Sequence, residues 1–435
     1  MEQNKLKKVA GVTLFESSVQ WYCFLLYGSA AGTVFNKVFF SQVGDPNVAL
    51  ILSYMSFAIG YIAGPFGAVF FGQFGDKKGR KATMYASLLL MGISTSIIGL
   101  LPPAATAGVW VVVLLQLMRL CQCFGRGGTW GGGILMAYEN VPEEKRAFYA
   151  AIPQLGMPIG LGLASIMIAV PSMLLEEDAF FAWGWRIAFL FAIVLTVIVT
   201  RLKGHMMETD DYKKAQAKLE AEEAEGKKQK VGFVAMVKGY WRTLLLGCGT
   251  RWVDGTFYNV FIVWTMSYCT TWLGMPLSGT YIITIAVCLC EMPFTLFGGW
   301  CASKIGKTQT FVLGSLLAAI LSIPTLKCIE LANGNVFLTA LCVILGWSFA
   351  YNMIWAVLSS LWSSYFETEV RYSGISFVYH VPSFLVAGLV PTICTLLINY
   401  GNGNTIYVGL YSTVVAIISL LCALALKHRH EKGIR

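Results

Sequence analysis

The sequence predicts an all-α integral membrane protein of twelve transmembrane helices in two six-helix bundles. Three observations lead there: a composition too apolar for water, twelve long apolar segments, and a basic turn that occurs twice. Hydrophobic residues make up 56% of the 435 and charged residues 13%, against about 25% charged in a soluble domain. The net charge of +9 would point to nucleic acid in a soluble protein. Here Lys and Arg gather in alternate connections, where they set topology. The 12 cysteines show neither CxxC pairs nor metal spacing with His. They fall almost entirely inside apolar segments, where a thiol packs as a small side chain, so no metal, cofactor or disulfide framework is expected.

Taken in order, segments long enough to span a bilayer fall near 10–35, 47–71, 82–101, 108–139, 146–170 and 181–200. The first follows Lys5, Lys7 and Lys8 but runs past the length of a signal-peptide core without a small-residue cleavage site, so it reads as a retained helix. Residues 202–232 change character, with Glu208, Asp210, Asp211, Lys213 and Lys214 and a mixed-charge run from Lys218 to Lys230. This stretch is read as a polar linker between a bundle over 1–201 and a second over 233–435. Six further segments lie near 241–270, 279–302, 309–328, 336–363, 372–399 and 405–426. Connections such as 41–47, 102–107 and 399–404 lack Lys and Arg, whereas the alternate ones hold Lys145, Arg146, Lys304, Lys307 and Arg371. The positive-inside rule then places both termini in the cytoplasm of a multi-pass cell-membrane protein, a bacterial inner membrane being the expected one.

Between the second and third segments the chain reads Gly72-Gln73-Phe74-Gly75-Asp76-Lys77-Lys78-Gly79-Arg80-Lys81. Its glycines permit a sharp turn and its four cations mark the cytoplasmic side. About 227 residues later, Gly299-Trp300-Cys301-Ala302-Ser303-Lys304-Ile305-Gly306-Lys307 repeats Gly72, Gly79 and the basic positions in register. Two parallel halves follow, with Ser303 replacing the acidic residue.

This loop resembles the G-x-x-x-D-[RK]-x-G-[RK]-[RK] signature of the major facilitator superfamily. Further stretches resemble its metabolite:proton symporter family: Gln20-Trp21-Tyr22-Cys23-Phe24, Gly64-Pro65-Phe66-Gly67-Ala68, Arg119-Leu120-Cys121-Gln122, Gly127-Gly128-Thr129-Trp130-Gly131-Gly132, Gly184-Trp185-Arg186 and Val370-Arg371-Tyr372-Ser373-Gly374-Ile375-Ser376. Together they run through the chain from end to end. The resemblance implies the major facilitator fold, a midplane site reached from alternate sides, and substrates among small organic acids and zwitterions. It also implies a latch at the basic loops, with Gly72, Asp76, Gly79, Arg80, Gly299, Gly306 and Arg371 as gating positions. Where the family patterns read E-W-Y-D-F, R-P-x-G and G-G-E-W, this chain has Gln20, Cys23, Gly64 and Thr129 in the charged places. Intramembrane charges are costly and kept for function, so the family's proton-coupling scheme is altered here.

Other ionisable groups stand elsewhere. Arg126, among Gly125, Gly127 and Gly128, has room for a substrate carboxylate, and Arg119 lies about 10 Å away along the same helix, seven residues at about 1.5 Å rise. An ion pair with another helix would account for Arg126 equally. Gln20, Trp21, Tyr22 and Trp130, lying within the matched motifs, are expected to line the central cavity. Rings there suit either an apolar body or a quaternary ammonium. Glu16, one turn before Gln20, serves either the same cavity or the interface with water. Glu291 is the repeat counterpart of Gly64 and has no basic residue within a turn, so it is the expected proton carrier. Asp254 either neutralises Arg251 three residues away or helps Glu291. His380 is a further proton-responsive candidate.

No GxxxxGK[ST], HExxH or nucleophile elbow appears in suitable context, which argues against an ATP-driven pump or a membrane hydrolase. The expected function is import of a small organic anion or zwitterion with a proton as co-substrate, by a monomer. Uniport, anion exchange and a non-transporting sensor are the alternatives.

Overall fold

The computed structural model describes residues 2–78, 80–139, 151–204, 233–366 and 371–431, with side chains over 11–71, 85–128, 151–202, 237–366 and 374–431. The described residues are helical almost throughout. In the first half α1 runs Glu2–Ala30 and on through Ala31–Phe35 and Asn36–Val38, α2 is Pro46–Lys78, α3 Arg80–Leu100, α4 Trp110–Glu139, α5 Pro153–Leu174 and α6 Glu177–Leu202. In the second, α7 is Phe233–Tyr258 extended by Asn259–Trp264 and Thr265–Thr271, α8 Leu277–Ile305, α9 Lys307–Leu331 and α10 Val336–Tyr365. Arg371–His380, Phe384–Gly388 and Val390–Tyr400 form α11, and Ile406–Glu431 forms α12. Eight of these are long and apolar enough, over their described residues, to cross a bilayer. The boundaries fall close to those expected from the segments.

The second copy of the basic turn is a tight connection between two long helices. α8 ends at Ile305 and α9 begins at Lys307, and the intervening Gly306 has φ +97°, a conformation side chains rarely adopt. In the first copy the described helices reach Lys78 and resume at Arg80. The side chains of Gly72 to Lys81, and residue 79 altogether, lie outside the described residues, as do most of the 202–232 linker and the Arg371 side chain. A second echo of the repeat is a π-helical turn at Ala31–Phe35 in α1 and another at Asn259–Trp264 in α7, offset by the same interval.

Large apolar side chains such as Phe66, Phe70, Leu100, Trp110 and Leu174 point outward, as lipid contact requires, whereas Ser and Thr are common inside. Lipid is as apolar as leucine, so helices gain by close backbone approach and internal hydrogen bonds rather than by hiding from water. A Cβ on Gly127 would collide with the backbone of Gly64, Gly67 and Ala68, so this glycine lets α4 touch α2. Within the first half α2 and α3 pack on α4, and α1 on α5; within the second, α9 packs on α10 and α12, and α8 on α10. Between the halves α5 packs on α8 and α2 on α11.

Candidate functional site

Where the halves meet at mid-depth, the chain gathers rings and guanidinium groups from both. Arg126 of α4 is buried and donates from Nη2 to the Tyr379 hydroxyl of α11 at 2.5 Å. Its guanidinium carbon lies 3.7 Å from the Phe24 ring centroid and 4.7 Å from that of Trp21, both on α1. A buried cation over aromatic faces recovers about 2 kcal/mol or more when desolvated, which helps hold a charge that the bilayer interior would otherwise reject. From the other half, Arg251 of α7 pairs with Asp254 and stands 4.4 Å from the Tyr379 ring. Asp254 accepts from the Tyr351 hydroxyl of α10 at 2.9 Å. Tyr351 stacks with Trp347 and Trp355, and Trp355 meets Trp21 edge-on at 5.4 Å, closing a ring of aromatic contacts across the two halves.

The expected site residues divide clearly. Arg126 and Trp21 face the interface. Tyr22 does not: its hydroxyl donates to the Ala188 carbonyl of α6 at 2.5 Å and its ring packs on Phe191, so it ties α1 to α6 and points away from the centre. Consecutive residues on a helix lie about 100° apart, so Trp21 and Tyr22 cannot share a face. Gln20 is buried one turn from Phe24, and the Trp130 side chain lies outside the described residues. Arg119 is fully buried inside the first half, bonded to Gln122 and enclosed by Phe24, Tyr27 and Phe57 at 4.3–4.8 Å. Gln122 itself spans α4, α1 and α3 by donating to the Cys23 carbonyl and the Thr95 hydroxyl, each at 2.8 Å.

Among the acids, Asp254 is held by Arg251 and Tyr351, and Glu16 is buried close to the start of α3 at Tyr85. Glu291 is different. It is fully buried midway along α8, and neither carboxylate oxygen has a hydrogen-bond partner among the described residues. Asn352 of α10, within reach of this carboxyl, receives the Thr295 hydroxyl at 2.6 Å and donates its amide to the Ser348 carbonyl at 2.8 Å. His380, beside Tyr379, fills the space that the absent side chain of Gly64 leaves: a Cβ there would lie 2.9 Å from its Nδ1.

Contacts between the halves close the site on both sides. Toward the face bearing the basic turns, Gln154 of α5 and Trp355 of α10 exchange hydrogen bonds, Trp355 Nε1 to the Gln154 carbonyl at 3.1 Å and Gln154 Nε2 to the Trp355 carbonyl at 3.3 Å. Toward the opposite face, Ser267 of α7 donates to the Gly32 carbonyl at 2.7 Å and meets the Tyr54 hydroxyl at 2.5 Å, while Thr33 and Tyr281 pair at 2.8 Å.

Two pseudo-repeated bundles of membrane-spanning helices are the architecture of a transporter. The chain matches the Major Facilitator Superfamily over residues 22–391. It is 36% identical to the inner membrane metabolite transport protein YhjE of Escherichia coli (98% of this chain, 96% of the relative) and 31% identical to the shikimate transporter of the same organism (94% and 92%). Identity to the proline/betaine transporter of Salmonella typhimurium is 28% (100% and 86%). Among solved structures, the proton:xylose symporter XylE bound to 6-bromo-6-deoxy-D-glucose superposes with a TM-score of 0.76 at 16% identity, over 98% of this chain and 95% of that one. The chain therefore belongs to the major facilitator superfamily, within its metabolite:proton symporter family.

Proposed function

We propose that the protein imports a small organic anion or zwitterion by alternating access, with Arg126 receiving the substrate carboxylate and Glu291 carrying a co-transported proton. One observation carries this reading. Arg126 and Arg251, one from each half, both meet Tyr379, and the acid bonded there, Asp254, is paired with Arg251. A buried patch with excess positive charge is built for an anionic group, and Arg126 sits where both halves can touch it. Shikimate, proline and betaine, the substrates in the relatives' names, share a carboxylate. The surrounding rings of Trp21, Phe24 and Trp355 suit the apolar or cationic remainder of such a molecule.

In this reading the bundles of residues 1–201 and 233–435, joined by the 202–232 linker, rock about the site, with the basic face in the cytoplasm. Glu291 is assigned the proton because a buried carboxylate without a partner is stable only when neutral. Thermal-shift screening of purified protein against mono-, di- and tricarboxylates, amino acids and betaines identifies the substrate, and counterflow in proteoliposomes separates transport from sensing. Absence of both ligand-induced stabilisation and counterflow for every carboxylate would overturn the assignment.

A further inference from the structure

Tyr379 is met by a guanidinium from each half. Arg126 of α4 donates to its hydroxyl at 2.5 Å, and the guanidinium of Arg251 of α7 lies 4.4 Å from its ring centroid. The two cations are thus separated by little more than one aromatic ring, a gap a small molecule can bridge. Arg251 is only 4% exposed and commits Nη1 to Asp254. Its Nε, equally buried, has no hydrogen-bond partner among the described residues. A buried donor left unmade is costly and calls for an acceptor. Asp254 is in turn fixed by Tyr351 of α10 through its other oxygen, so the guanidinium is held by one edge with another N–H unused. Arg119 does not offer the same opportunity, because three rings of the first half enclose it.

From this geometry we propose that Arg251 is a second anion-binding group of the substrate site, positioned by Asp254 and Tyr351, and that it takes a second acidic group of the substrate on its Nε. The proposal rests on the reading that Arg126 receives a carboxylate, and it narrows that reading to a ligand with two acidic groups, one for each half. Such a ligand ties α4 to α7 directly and makes binding itself a reason for the halves to close. Asp254 competes with the second acidic group for Arg251, so removing its charge strengthens rather than weakens the new contact.

The test is binding to the purified full chain of a series of linear dicarboxylates, malonate to adipate, each against its own half-amide, by thermal shift and calorimetry. At least one diacid is expected to bind about tenfold or more tightly than its half-amide, the worth of one charge-assisted pair. Arg251→Lys should abolish that advantage, Arg126→Lys should weaken diacid and half-amide alike, and Asp254→Asn should tighten the diacid more than the half-amide. A merely structural role for Asp254 predicts no tightening. If half-amides or zwitterions bind through Arg126 as well as any diacid does, the Arg251 assignment falls while the Arg126 reading stands. If no carboxylate binds at all, both fall. Should Arg251→Lys fail to fold, the comparison of parent with Asp254→Asn still decides.

Discussion

At the scale of single residues, charge placement carries the function. Arg126→Lys keeps the cation but loses the planar fork that faces Tyr379 and stacks on Phe24, and should weaken substrate binding by about 1.5–3 kcal/mol, the range for charged hydrogen bonds. Arg126→Ala should weaken it further, and saturation binding in proteoliposomes measures both. Equal affinity in Arg126→Lys and the parent would remove this side chain from the site. For Glu291 the informative quantity is the response to a proton gradient. Glu291→Gln is an uncharged isostere of the protonated acid, so folding should survive while uptake loses its stimulation by an inward pH gradient. Stimulation that persists in the variant excludes Glu291, and no stimulation in the parent points to uniport or exchange. Arg126 and Glu291 stood out in the sequence as charges inside apolar segments. Tyr379, Tyr351 and Trp355 did not, because an aromatic ring in an apolar helix carries no mark that separates a site wall from packing. The one signal available for Tyr379 was its neighbour His380.

Among the elements, the α8–α9 turn and the α2–α11 contact each impose a steric demand. Gly306 holds φ +97° and ψ 155°, an extended positive-φ conformation essentially reserved for glycine, so Gly306→Leu costs about 1–3 kcal/mol and should slow uptake without removing the protein from the membrane. Normal turnover of the variant, measured against its amount in the membrane, would show that this turn does not govern the access change. At Gly64 the constraint is a neighbour rather than a dihedral, since His380 stands where any side chain would go. Gly64→Leu should therefore force α2 and α11 apart and lower uptake, and a His380→Ala partner substitution should restore part of it. The repeat made both sites legible in outline: Gly306 echoes Gly79, and Glu291 echoes Gly64. That Gly64 admits a histidine from the opposite half was not legible, because helix pairing between the halves leaves no periodic trace.

For the whole molecule, polar contacts among the described residues join the halves on both sides of the candidate site. Trp355→Phe removes the Nε1 donor to the Gln154 carbonyl, and Tyr54→Phe removes the hydroxyl that meets Ser267. Each loss is worth about 0.5–1.5 kcal/mol, enough to shift a balanced equilibrium roughly 2–12-fold. The two shifts should be opposite: Trp355→Phe opens the face of the basic turns, Tyr54→Phe the other. Pairs of spin labels spanning the halves at each face would read this as longer distances at one end only. Lengthening at both ends, or at neither, would show that these pairs do not hold the closures.

Sequence by itself determined the class of fold, the number and limits of the helices, the twofold repeat and the family, because each is written in local composition: apolar runs of bilayer length, charge in alternate connections, and a glycine-basic turn used twice. It also supplied the intramembrane charges from which the site had to be built. Only the tertiary structure decided how those charges are used. It turned Tyr22 toward α6, closed Arg119 inside the first half, paired Arg251 with Asp254, buried Glu291 without an ion pair among the described residues, and brought Arg126 and Arg251 to opposite approaches of one tyrosine. The physical reason is that orientation around a helix axis is fixed by packing against other helices. In an apolar solvent every face of a transmembrane helix looks alike until its neighbours are in place.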